Sequence, residues 1–166
     1  PIGLVAASGT GLQQVVCLID RFGGGVSQAI GVGGRDLDER IGGLMMLAAL
    51  ERLAKDDDTT VIVLISKPPA PAVSARLLER ARGSGKPVVV CFLGGDRVAI
   101  DAAGATPAAT LEDAARLAVA GAGHGAPVPS DDDELMKTIL VRAARQASSQ
   151  RAIRGLYSGG TLAYEA

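Results

Sequence analysis

PIGLVAASGTGLQQVVCLIDRF, residues 1–22, leaves an apolar run through Ser8-Gly9-Thr10-Gly11 and enters a helical pattern at once. Ile2 to Ala7 reads as a buried strand, and Leu12, Val15, Val16, Leu18, Ile19 and Phe22 then recur at helical spacing. Gly23-Gly24-Gly25 ends that helix, since glycine accepts the positive φ of a helix exit. The same grammar repeats along the chain. Val26 to Val32 reads as a weaker second strand and leads into Gly33-Gly34-Arg35-Asp36; a second helix fits Glu39 to Ala54, with Leu44, Leu47, Leu50 and Leu53 on one side. Asp56-Asp57-Asp58-Thr59 is a polar turn. Val61 to Ile65 is apolar throughout and mostly β-branched, the pattern of a strand buried on both faces. After Lys67-Pro68-Pro69-Ala70-Pro71 a third helix runs from about Ala72 to Arg82, Gly83-Ser84-Gly85 closes it, and Pro87 to Leu93 is a fourth strand.

Strands that alternate with helices over short joins predict an α/β fold with a parallel sheet, because antiparallel pairing needs no helix at every crossing. One continuous run of units without a second half favours a flavodoxin-like, three-layer order over a Rossmann order. The last third is less regular. Leu111 to Ala122 is an Ala-rich helix with Thr110 at its start, and Ser130 ahead of Asp131-Asp132-Asp133-Glu134 opens a helix running to about Gln146. The glycine- and proline-rich stretch Gly121 to Pro129 is a poor fifth strand; Ala152 to Tyr157 offers a short one.

A chain of 166 residues suits one globular domain, and with 48% hydrophobic but only 2% aromatic residues its core must be built from Val, Ile, Leu and Ala. Seventeen basic and 18 acidic residues create no global field for nucleic acid or an anionic membrane, and there are few aromatics to stack on bases. No apolar run reaches membrane-spanning length and no signal peptide is present, so the expected location is the cytoplasm. The chain starts without Met and stops inside a motif, which predicts a piece of a longer polypeptide. Cys17 and Cys91 lie in apolar runs and read as reduced core residues; no Cys/His spacing suits a metal.

The opening phrase carries the candidate chemistry. A strand that ends in a glycine-rich turn and opens a helix points free backbone N–H groups at one spot, where the helix dipole adds positive charge. Ser8, Gly9, Thr10 and Gly11 would cradle a phosphate, a phosphoryl group or a carboxylate, with the Ser8 and Thr10 hydroxyls as further donors. The competing reading is a plain βα turn with a Ser cap. SGTG is neither a P-loop nor the dinucleotide fingerprint. In a parallel sheet two more loops reach the same edge: Gly33, Gly34 and Arg35 bring glycines and a guanidinium, and Lys67 brings an ammonium on a stiff turn. For Arg35 and Lys67, ordinary surface charge is the alternative.

The succession VAASGTGL, SQAIGVGGRD, VIVLISKPPAP and KPVVVCFLGG resembles the ligase domain of FdrA-type proteins, relatives of the succinyl-CoA synthetase alpha subunit. The likeness covers roughly the first hundred residues. The closing RGLYSGGTL is similar to the junction where such proteins begin another ligase-like domain, implying domains at 1–149 and 150–166. The resemblance implies a flavodoxin-like fold, a CoA-binding domain upstream of Pro1, other domains of the same chain, and partner subunits such as a nucleotide-grasp subunit. It also implies that the helix opened by Ser8-Gly9-Thr10 holds a phosphate. The synthetases carry their active histidine in a GHAGA phrase; the nearest phrase here is Asp101-Ala102-Ala103-Gly104-Ala105, which sets Ala102 at the histidine position. A carboxylate follows the third strand in the synthetases, and Lys67 stands there instead.

These features set the expectations on function. As the resemblance implies, the chain is expected to be an acyl-CoA-synthetase-like domain, a ligase or transferase of acyl or carbamoyl groups, that binds phosphate or an acyl or carbamoyl phosphate, a small anionic substrate, at helix N-termini, without a phosphohistidine and without a metal. CoA would enter through the upstream domain. The alternatives are a subunit of an oxamate carbamoyltransferase in purine catabolism, which the resemblance alone suggests, and a non-catalytic scaffold. His124, the sole histidine, reads as a loop residue after the Ala-rich helix. Met45 and Met46 read as helical core, and Asp56 to Asp58 as a solvated turn. Arg142, Arg145, Arg151 and Arg154 read as a solvated basic face.

Overall fold

Five strands, β1 (Ile2–Ala6), β2 (Val26–Gly31), β3 (Val61–Ser66), β4 (Val88–Phe92) and β5 (Thr106–Pro107), form one sheet in the order β2-β1-β3-β4-β5. Every pairing is parallel. The computed structural model describes residues 1–125, 132–152 and 154–166. The order is the flavodoxin-like one expected from the succession of units, and the direction of winding reverses between β1 and β3.

Side-chain alternation distributes the core between two layers. Ile2, Leu4 and Ala6, Val61, Val63 and Ile65, and Val89 and Cys91 face α1 (Gly9–Arg21) and α5 (Leu111–Gly121), where they pack on Val15, Ile19, Ala114 and Ala118. Val5, Ile62, Leu64, Val90 and Phe92 face the other way, onto Met46, Leu50 and Leu53 of α2 (Leu44–Ala54) and Val73 and Leu77 of α3 (Pro71–Arg82). Small residues permit this close approach: a Cβ at Gly3 would fall 2.8 Å from Thr59 Cγ2 and 2.9 Å from Leu53 Cδ2.

The second helix begins at Leu44, five residues later than the periodicity from Glu39 predicts. Gly42 and Gly43 adopt φ of +82° and +75°, which breaks any continuous helix across them. Asp36, 5% exposed, supplies the missing cap: its two carboxylate oxygens accept from Met45 N and Met46 N, both at 2.9 Å. The start of α2 is therefore tied to the loop that carries Arg35. The later start also shifts the buried stripe, so that Met46 is buried whereas Leu44 and Met45 are exposed.

Two elements escape the sequence pattern. The fifth strand of the sheet is Thr106–Pro107, and it follows a one-and-a-half-turn helix α4 (Arg97–Ala102) capped by Asp96; of the candidate 121–129, residues 126–129 lie outside the described residues and the others form no strand. No strand occurs among the described residues of 152–157. Helix α6 (Asp132–Ala143) is present with its described side chains exposed, among them Leu135, Met136, Ile139 and Leu140. Its expected cap, Ser130, lies outside the described residues. A last helix, α7 (Gly160–Glu165), follows. His124 lies just beyond α5, in the expected loop. Arg142, Arg145, Arg151 and Arg154 are exposed. Asp56 is not simply solvated: it accepts from Gln28 Nε2 at 2.8 Å and Thr59 Oγ1 at 2.6 Å, and these bonds hold its carboxyl below the usual carboxylate range.

Both cysteines are unbridged, but only Cys91 belongs to the core; Cys17 is on the exposed side of α1. Burial first, then the negative charges of Glu165 and Asp113, pushes the Cys91 thiol up to about 12. In a thiol titration of the native protein with a charged aromatic disulfide, Cys17 is expected to react promptly and Cys91 only after unfolding. Asp36→Ala removes the double cap of α2 and should lower stability by about 1–2 kcal/mol in urea unfolding; an unchanged midpoint would refute the capping role.

Candidate functional site

The register of the sheet decides which loops meet. Ala6 pairs with Gly31 on one side and Ile65 on the other, and Ser66 pairs with Phe92, so the exits of β1, β2, β3 and β4 lie level. Ligands of open parallel sheets bind at this carboxyl edge, where the winding reverses. A cleft of about 980 Å³ occupies that position. It is lined by Ser8, Gly9 and Thr10 after β1, by Gly34 to Glu39 except the buried Asp36 after β2, and by Ser66 to Ala70 except Pro69 after β3.

Ser8 is the N-cap of α1, with extended backbone (φ −157°, ψ 113°), and its Oγ accepts from Gly11 N at 3.0 Å. The first-turn N–H groups of Gly9 and Thr10 have no carbonyl one turn back to bond within the helix. Gly11 is buried behind the cap rather than in the cleft: a Cβ there would fall 2.9 Å from Ser8 Oγ. Six of the eight anticipated binding residues therefore line the cleft: Ser8, Gly9, Thr10, Gly34, Arg35 and Lys67. Gly33 does not; its carbonyl receives the Asp36 N–H at 2.9 Å and shapes the loop. Among the described residues neither Arg35 nor Lys67 has a carboxylate within ion-pair distance. Asp38 and Glu39 also line the cleft, and the Asp38 carboxyl is held low chiefly by its side-chain hydrogen bond with Arg40, on Nε at 3.2 Å.

The sequence pattern does not foretell a fourth contribution, from the far end of the chain. Gly159, Gly160 and Thr161 line the same cleft. Thr161 Oγ1 and Ser8 Oγ share a hydrogen bond of 2.5 Å, so the Ser8 oxygen is engaged twice, by Thr161 and by Gly11 N. Gly159 abuts Thr10, where a Cβ would fall 2.5 Å from Cγ2, and a Cβ at Gly160 would lie 3.5 Å from Lys67 Nζ. Three further contacts hold this segment down. The Tyr164 ring sits 5.5 Å from Lys67 Nζ, and the Tyr164 hydroxyl lies beside Gly94. Glu165 Oε1 accepts from Leu111 N at 2.6 Å, which adds a second cap to a helix already capped by Thr110. The only advance signal was the likeness between SGGT at 158–161 and SGTG at 8–11.

Ala102 does not line the cleft. It ends α4, and its carbonyl accepts from Arg82 Nη2 at 2.9 Å. Arg82 closes α3, a helix that starts beside the cleft and runs away from it, so Ala102 lies toward the opposite edge. His124, at the end of α5, is not in the cleft either. No cluster of three metal-ligating side chains occurs among the described residues, and no helix among them is long and apolar enough to cross a membrane.

Comparison with known proteins adds two findings. The chain is 49% identical over 168 residues to the uncharacterized protein YahF of Escherichia coli strain K12; the alignment covers 99% of this chain and 32% of that protein. The chain thus spans about a third of the length of this curated relative. Residues 1–94, which hold β1 through β4 and three of the four segments that line the cleft, match the model of the CoA binding domain. This agrees with a likeness to the succinyl-CoA synthetase alpha subunit. The match lies within this chain itself and supports the expectation of CoA binding in its coarser form. With more than half of its residues covered by that match, the chain belongs to the CoA binding domain family.

Proposed function

We propose that the carboxyl-edge cleft binds a phosphate group, with Gly9 and Thr10 giving main-chain donors and Arg35 and Lys67 giving cations. The observation that carries this reading is the convergence, in one cleft, of the α1 N-terminus with two cations that have no carboxylate partner among the described residues. The lining charges cancel overall, Arg35 and Lys67 against Asp38 and Glu39. Preference for an anion then rests on the oriented backbone dipoles at one end of the cleft. At about 980 Å³ the cleft is much larger than a bare phosphate and matches the size of small-molecule sites.

The ligand proposed first is an acyl or carbamoyl phosphate, as the FdrA-type resemblance implies, and the cleft has room for the acceptor beside it. A phosphate already activated in the substrate needs no protein nucleophile. Catalysis would be electrostatic: amide donors and the Lys67 ammonium stabilise charge that develops on the transferring group. Other domains of a longer chain, or partner subunits, would supply the remaining groups. In this view residues 150–166 open the next ligase-like domain and lend Gly159, Gly160 and Thr161 to the cleft. The family match favours a second ligand for the same cradle, the pyrophosphate of CoA, since a first βα turn and its helix N-terminus suit a pyrophosphate.

Thermal-shift titration tests the reading with inorganic phosphate, acetyl phosphate, carbamoyl phosphate and CoA. A ligand that occupies the cleft at a hundredfold excess over its dissociation constant adds about 2.7 kcal/mol, or roughly 5 °C or more in a domain of this size. Arg35→Ala and Lys67→Ala should each weaken the response about two- to fivefold, in line with exposed charges. No shift with any of the four compounds would favour a scaffold role. An acid-labile phosphoryl mark on the protein after exposure to acetyl phosphate would overturn the mechanism without a covalent intermediate.

A further inference from the structure

Ser66 closes β3, the most buried strand, and is itself 1% exposed. Its neighbour Ile65 packs into the α1/α5 layer, so alternation turns the Ser66 side chain to the other face of the sheet. Val88, Val90 and Phe92 of the adjacent strand share that face, and Ser66 pairs in register with Phe92. This environment is apolar, yet the Ser66 hydroxyl has no hydrogen-bond partner among the described residues. A buried unpaired hydroxyl is costly, and such groups in folded proteins call for a reason. The other unpaired buried atom, Arg116 Nε, belongs to a guanidinium whose Nη2 already binds Asp113. Ser66 has no such second contact.

Its position supplies the reason. Ser66 lines the cleft next to Lys67 in the chain, together with the α1 N-terminus and the Arg35 loop. Two main-chain carbonyls at this point are engaged with neighbours: Ala7 N donates to Ile65 O at 3.0 Å and Leu93 N donates to Ser66 O at 2.9 Å. The side-chain oxygen is uncommitted among the described residues, and rotation about one bond, χ1, re-aims it among three staggered positions. The Ser8 hydroxyl, by contrast, is held by Gly11 N and Thr161. We propose that Ser66 is a hydroxyl donor of the cleft, and that it binds an oxygen of the phosphate group alongside Lys67. The inference rests on the anion-binding reading above and names a residue that reading does not use.

A hydroxyl kept for a ligand and one kept for the fold respond oppositely to removal, which makes the two roles separable. The experiment measures melting temperature without ligand and phosphate affinity for the wild type, Ser66→Ala and Ser66→Thr. Ser66→Ala removes an unpaired polar atom, so its ligand-free melting temperature should hold or rise by about 2–4 °C. Its phosphate affinity should fall by about tenfold or more, the worth of a hydrogen bond to a charged group. Ser66→Thr keeps the hydroxyl on a residue suited to strands and should retain most of the affinity. Equal affinity of Ser66→Ala and the wild type overturns the role of Ser66 and leaves the anion site standing. A large drop in the melting temperature of ligand-free Ser66→Ala, with affinity lost in Ser66→Thr as well, also overturns it, by showing a structural hydroxyl. A wild type that does not respond to phosphate, or to the larger phosphates and CoA, removes the anion site itself and this inference with it.

Discussion

Three main-chain hydrogen bonds at the ends of adjacent strands hold the architecture of the cleft: Val32 N to Ala6 O at 2.8 Å, Ala7 N to Ile65 O at 3.0 Å and Leu93 N to Ser66 O at 2.9 Å. They keep four strand exits level, so that residues far apart in sequence present their donors to one volume. A slip of one residue in β3 would turn Ser66 to the α1/α5 face and Ile65 into the cleft. The long apolar strands, buried on both faces, make that slip prohibitive, since each would exchange a whole set of packed side chains. Core packing thus fixes the geometry at the edge, although no core residue need touch a ligand.

The electrostatic character of the cleft follows from the same arrangement. A site built on a surplus of lysines and arginines attracts anions from a distance and loses much of that attraction in salt. Here opposed side-chain charges nearly balance, and under the proposed reading short-range donors at a helix start would carry the discrimination. Such a site selects shape and hydrogen-bonding pattern rather than net charge. The loops that carry the cations are themselves braced. Asp36 ties the Arg35 loop to α2, and Ala70 N donates to Leu37 O at 3.1 Å, joining the β2 and β3 exits.

Much of this was legible in the residues. Runs such as Val61 to Ile65 have a strong pattern, and the glycine stops between them left little freedom, so four strands, their order and three main helices followed directly. The failures have local physical causes. The pair Thr106–Pro107 is too short to carry a period, and α4 is under two turns. The start of α2 was misplaced because Ile41 keeps helical spacing to Leu44 across Gly42-Gly43, a break that only positive φ reveals. Cys17 sits in an apolar run, yet falls on the outer side of α1, two residues from buried Val15 and Ile19. In the cleft, the turn after β1 was legible because its chemistry is local. The engagement of Ser8 by Thr161 and the isolation of Ser66 were not, because both arise from tertiary docking.

The bond between Ser8 and Thr161 spans 153 positions. During synthesis, at about 5–20 residues per second, the first strands and helices have time to form while their distal counterpart is still unmade. In that interval the cleft lacks Thr161, and of the two bonds to Ser8 only the local one from Gly11 N has its partner. Completion of the cleft comes as a late docking event, after the sheet beneath it is settled.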